Sequence, residues 1–142
     1  MKSEIISFLA SLEAFDPEAD DSATASLYSM IDPVENDPEV VEALPGIFSF
    51  LERHPEADLG SPGPLVHLVE GFPGRYEDLL AASVRSAPSV TTVTMINRIL
   101  NSDLSDQDRA SWMHLLRNVA NSPSRSSIVR SHAADLLKFQ EK

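Results

Sequence analysis

Proline sets the boundaries of almost everything this chain can form. Proline has no backbone N–H and clashes with the preceding helical turn, so it opens helices or lies between them. The chain carries ten prolines in 142 residues. All of them except Pro45 fall at the start of, or between, segments with the 3.6-residue apolar period of an amphipathic helix.

The segments between these breaks read as helices in turn. From Ser3 to Ala14, Ile5, Phe8, Leu9 and Leu12 share one face. Asp16-Pro17-Glu18 supplies a capping carboxylate, a proline at the first helical position and an acid in the first turn. The helix it opens is expected to turn Ala23, Leu27, Ile31 and Val34 inward. Asp37-Pro38-Glu39 repeats the start signal, and Val40, Val41, Leu44, Ile47, Phe48 and Leu51 follow in register. That register runs through Pro45-Gly46, where either one helix kinks or two short helices meet.

Gly60-Ser61-Pro62-Gly63-Pro64 is the densest breaker cluster and reads as a turn. A short helix with Leu65, Leu68, Val69 and Phe72 comes next, ending near Gly71 and Gly74. Another runs from about Arg75, with Tyr76, Leu79, Leu80, Ser83 and Val84 on one face, until Pro88. Ser89 can cap a helix from Val90 to Leu100. Its Thr91-Thr92-Val93-Thr94 run would suit a strand, but Val90, Val93, Ile96 and Leu100 keep helical spacing. Ser105-Asp106-Gln107-Asp108 resembles a capping box ahead of Trp112, Leu115, Leu116 and Val119. The last helix begins after Pro123 and carries Val129, Ala133, Leu136 and Leu137.

The expectation is an all-α fold of seven to eight helices in one domain spanning 1–142. Short links make successive helices antiparallel neighbours, so stacked hairpins of the HEAT-like kind fit the pattern. Pro17–Asp20 and Pro55–Asp58 share a Pro-Glu-Ala-Asp run, too short to establish duplication.

Charge divides the chain in two. Residues 1–60 hold 14 Asp and Glu against Lys2 and Arg53, a net of −12, while residues 61–142 net +1 within a total of −11. Direct nucleic-acid binding is not expected, because phosphate contacts require clustered Lys and Arg. A solvated acidic surface would aid solubility, but so uneven a split suggests one face meant for a basic partner. Helix starts account for Asp16, Glu18, Asp37 and Glu39. Asp20, Asp21, Asp32, Glu35 and Glu42 remain less explained, and together with Glu39 they form the candidate partner-binding set. Neutralising Asp20, Asp21, Glu35 and Glu39 together should slow association without unfolding the chain.

Catalytic and cofactor signatures are absent. No cysteine is present, which removes disulfides, thiolate catalysis and Cys-based zinc sites. His54, His67, His114 and His132 lie outside any H-E-x-x-H pattern; His67 reads as a half-buried packing residue. Asp16, Glu18 and Asp20 alternate as in a calcium loop, but the required glycine and glutamate positions hold Asp21 and Leu27. No G-x-S-x-G elbow or P-loop occurs. The expectation is a protein that is not an enzyme, needs no cofactor or metal, crosses no membrane and stays in the cytoplasm. Asn97 or Arg98 is expected to bond loop backbone between hairpins, and Trp112 to sit in the core.

Two segments carry a family resemblance. Leu59-Gly60-Ser61-Pro62-Gly63-Pro64-Leu65-Val66-His67 and Met95-Ile96-Asn97-Arg98-Ile99-Leu100-Asn101 resemble segments of small helical immunity proteins. Those belong to bacterial polymorphic-toxin and contact-dependent inhibition systems. The resemblance covers roughly residues 38–140 and leaves out Asp16 to Asp37. It implies a non-catalytic inhibitor that binds a cognate toxin domain with a basic surface, such as a nuclease, and occludes its cleft. Tyr28, Met30 and Phe50 are candidate apolar anchors, with a core position the equal alternative for each. A helical-repeat adaptor without a toxin partner is the alternative.

Overall fold

Ser89 shows how local chemistry fixes the helices. In the computed structural model, which describes residues 1–142, its hydroxyl accepts from the Thr92 backbone N–H at 3.0 Å, and Thr92 Oγ1 accepts from the Ser89 N–H at 2.9 Å. Threonine thus completes a reciprocal capping box. The β-branched run after the cap is helical, and Thr91, Thr92 and Val93 are buried. At the next start only one half of the box forms: Ser105 accepts from the Asp108 N–H at 3.1 Å. Ser126 does the same for Val129 at 3.2 Å.

Eight α-helices result, with no strand: α1 Ser3–Ala14, α2 Ala23–Ile31, α3 Leu44–Arg53, α4 Pro64–Glu70, α5 Glu77–Ser86, α6 Val90–Leu100, α7 Asp106–Ala120 and α8 Ser127–Gln140. None is long and apolar enough to cross a membrane.

Both Asp-Pro-Glu signals act as caps, but neither opens an α-helix directly. Asp16 accepts from the Glu18 N–H at 3.0 Å and Asp37 from the Glu39 N–H at 2.9 Å. Each begins a 3-10 segment instead, Pro17–Ala19 and Pro38–Ala43. The first stops where Asp20 turns extended and accepts from the Ser22 N–H at 2.8 Å. The second hands over to α3 at Leu44, so two helical segments meet there. Pro45 lies in the first turn of α3, where its missing N–H costs nothing. Gly46 follows because α1 crosses closely: a Cβ there would stand 2.6 Å from Leu9 Cδ2.

One apolar cluster of 31 buried residues runs from Ile5 to Ala133. Helices two apart in sequence pack together, α1 on α3, α2 on α4, α3 on α5 and α6 on α8, while α7 and α8 pack as neighbours. Trp112 is half-buried against this core. Asn97 and Arg98 contact side chains rather than loop backbone, a correction to what their place in an apolar helix suggested. Arg98 donates to both oxygens of Glu70 at 2.8 and 2.9 Å, joining α6 to α4. Asn97 Oδ1 accepts from Gln140 at 2.7 Å, joining α6 to α8.

The turn before α4 depends on Gly63. Its φ of +91° and ψ of 170° suit glycine alone, and a Cβ would stand 1.9 Å from the Leu59 carbonyl oxygen. Gly63→Ala is expected to cost about 2–3 kcal/mol, read as a lower midpoint in urea unfolding. An unchanged midpoint would contradict this backbone conformation.

His132 contributes a pH dependence. It contacts Thr94 Oγ1 through Nε2 at 2.8 Å, and that hydroxyl also donates to the Val90 carbonyl at 2.9 Å. With its only proton so used, the hydroxyl accepts from the imidazole N–H. Burial lowers the His132 pKa below its usual value near 6.5, opposed by Asp135. A depressed histidine leaves the unfolded chain binding more protons, so its contribution is complete above pH about 6.5 and declines as pH falls. Between about pH 7.5 and 5.5, urea stability of the wild type should fall more than that of His132→Gln. Equal slopes would exclude His132 as the source.

Candidate partner-binding site

The buried face of α2 is a single stripe. Leu27 and Ile31, with Val34 just beyond, stand at i, i+4 and i+7 and are all buried. The helix does not stop at Ile31: Asp32–Val34 continues as a 3-10 turn, and Asp32 and Glu35 keep right-handed helical angles. Tyr28, Asp32 and Glu35 therefore form a second stripe, one residue on, with the same spacing. All three are exposed, Tyr28 at 55%.

This outer stripe borders a groove of about 650 Å³ between α2 and α4. Ile31, Leu68 and the half-buried Phe72 provide its apolar surface. Pro38 and Pro64 stand on either side, and Asp32, Glu35, Asp37 and His67 bring polar groups to it. His67 is exposed here, not half-buried as its apolar neighbours suggested.

The six candidate acids separate into groups. Asp20 is structural: it accepts from Ser26 Oγ at 2.6 Å and from the Ser22 N–H at 2.8 Å. The Ser26 bond, then the Ser22 bond, holds its carboxyl below the usual range. Glu39 accepts from the Lys2 backbone N–H at 3.3 Å, so it too has an internal contact. Asp37 pairs with Lys2 Nζ at 3.1 Å. Its pKa is lowered first by the Glu39 N–H and then by Lys2. Asp21, Asp32, Glu35 and Glu42 are exposed and make no side-chain hydrogen bond or ion pair.

The structure brings Asp32 and Glu35 together at the α2–α4 groove. Asp20 and Asp21 line a second, more polar depression with Glu18, Glu56, Asp58 and Ile128, a residue 51% exposed at the start of α8. Glu39 and Glu42 line neither.

Of the three candidate anchors, Phe50 is fully buried and packs against Phe15 at a 6.3 Å ring separation. It belongs to the core, the second of the two alternatives its sequence left open. Met30 is half-buried against the core. Tyr28 alone is available to a partner. Phe72 and Ile128 give no sign in the sequence of being surface contacts; Phe72 keeps core spacing, and Ile128 has no partner at helical spacing on an exposed face.

No three His, Asp or Glu side chains gather in a way that could hold a metal ion. No family model matches the chain, and no curated protein or solved structure matches it.

Proposed function

We propose that this chain is a protein-binding inhibitor whose acidic N-terminal half captures a basic toxin domain. One observation carries the reading. After the fold has used Asp16 and Asp37 as caps, Asp20 on Ser22 and Ser26, and Glu39 on Lys2, an exposed tyrosine and two unpaired carboxylates remain together along one groove. Unpaired acids steer a basic partner and raise the association rate, while a central aromatic residue supplies holding energy. The resemblance of residues 59–67 and 95–101 to helical immunity proteins supports a toxin as that partner. The packing of helices two apart supports stacked hairpins of the HEAT-like kind as the scaffold. A nuclease cleft is the target best matched in charge, since the inhibitor would occupy the place of phosphate.

Co-expression with a toxin gene lying beside this one tests the reading. The chain should bind that toxin and restore growth. A chain that neither binds nor protects would leave the alternative, a helical adaptor using the same groove for a different basic protein.

A further inference from the structure

We propose that the α2–α4 groove is an arginine-recognition site for a side chain presented on a protein partner's surface, with its guanidinium held between Tyr28, Asp32 and Glu35. The proposal deepens the toxin-capture reading and rests on it.

Three features of the groove lead there. First, two of its three carboxylates have no internal counterpart. Asp32 and Glu35 make no hydrogen bond or ion pair, and the one lysine of the acidic half, Lys2, is engaged by Asp37. Second, the aromatic ring and the carboxylates are in helical register. The i, i+4, i+7 spacing of Tyr28, Asp32 and Glu35 puts them on one face in successive turns. Third, the floor is apolar, from Ile31, Leu68 and Phe72.

Guanidinium matches all three. It is planar, so it stacks on a tyrosine face, and it offers paired N–H donors to carboxylates. Its three-carbon stem covers apolar surface. Lysine would satisfy the charge without the stacking or the paired geometry. A volume of about 650 Å³ lies within the usual range of about 300–1,000 Å³ for binding clefts. It can therefore admit the arginine and an apolar neighbour from the partner's chain.

The test is an NMR titration of the full chain with the blocked dipeptide acetyl-Arg-Leu-amide. The comparison ligands are acetyl-Lys-Leu-amide and acetyl-citrulline-Leu-amide, citrulline being the neutral isostere of arginine. The arginine dipeptide should shift the amides of Tyr28, Asp32, Glu35 and Phe72. Citrulline should bind about tenfold more weakly, in keeping with the greater strength of charge-assisted bonds. Asp32→Asn with Glu35→Gln should weaken arginine binding by a similar factor. Tyr28→Ala should weaken it about fivefold and Tyr28→Phe should restore it, because the ring and not the hydroxyl is used. These side chains are exposed, and an undisturbed spectrum of each free variant establishes that it is folded.

Equal binding of arginine and citrulline dipeptides, no binding of either, or shifts that persist in the double variant would overturn the proposal. The toxin reading fails separately. Dipeptide binding at the groove without growth protection leaves the arginine site standing and removes the toxin. Growth protection by a chain whose groove ignores the dipeptide overturns the arginine site and leaves the toxin.

Discussion

Phe50→Ala should destabilise the chain by about 4 kcal/mol, the usual cost of deleting a buried aromatic side chain. Phe50 is 0% exposed in α3, stacks near Phe15 and meets His54 at 4.9 Å between ring centroids. Its loss would open a cavity where the segment after α1 reaches α3. Domains of this size are stable by about 5–15 kcal/mol, so the variant should sit near the edge of folding. A thermal midpoint lowered by about 10 °C or more is expected. A shift of only a few degrees would show that Phe50 packs less tightly than this, and would revive it as a contact residue.

The largest expected effect on binding is at Tyr28. If the proposed capture of a toxin holds, Tyr28→Ala should weaken that complex by about 30-fold or more, as loss of a central aromatic contact of about 2 kcal/mol does. The change should appear mainly in dissociation, because the residue carries no charge to steer approach. Stability should stay within about 0.5 kcal/mol of wild type, as at most exposed positions. Unchanged dissociation would mean that the partner does not rest on this groove. In the proposed complex Tyr28 would be one contact in a larger footprint. An interface of standard size covers about 800 Å² on each partner, roughly a tenth of the 7559 Å² of this surface.

Helix positions were readable wherever the signal was local. Ser89 and Ser105 cap from three residues away, and the apolar stripes of α1, α3 and α6 are the buried ones. Asp16 and Asp37 were legible as caps for the same reason. The length of the helix each opens was not, because the cap bond is alike at α and 3-10 starts. Residues further along the chain decide that length: the first segment ends where Asp20 turns extended and accepts from the Ser22 N–H, and the second ends at the handover at Leu44.

The acids show the same limit. Glu39 bonds Lys2, which is 37 residues away, so its contact exists only once α1 has packed beside the Pro38–Ala43 segment. Asp20 reaches Ser26 six residues on, outside the spacings that sequence reading tests. This changes which substitutions isolate steering. A set containing Asp20 and Glu39 mixes charge with structure. Asp21, Asp32, Glu35 and Glu42 carry charge alone. The Tyr28, Asp32, Glu35 stripe was legible in principle. It is the buried Leu27, Ile31, Val34 stripe advanced by one residue, but nothing in the sequence marks a mixed aromatic and acidic stripe as different from an ordinary solvated face.

The decisive measurement is the association rate with the proposed basic toxin partner, taken at about 50 mM and about 500 mM salt. The wild type and the Asp21→Asn, Asp32→Asn, Glu35→Gln, Glu42→Gln variant are compared. The wild-type rate should fall by about tenfold or more across that range, as for steered encounters. The variant should be slow already at low salt, nearly insensitive to salt, and as stable as wild type to urea. Identical rates and salt slopes for the two proteins would contradict an acidic capture face.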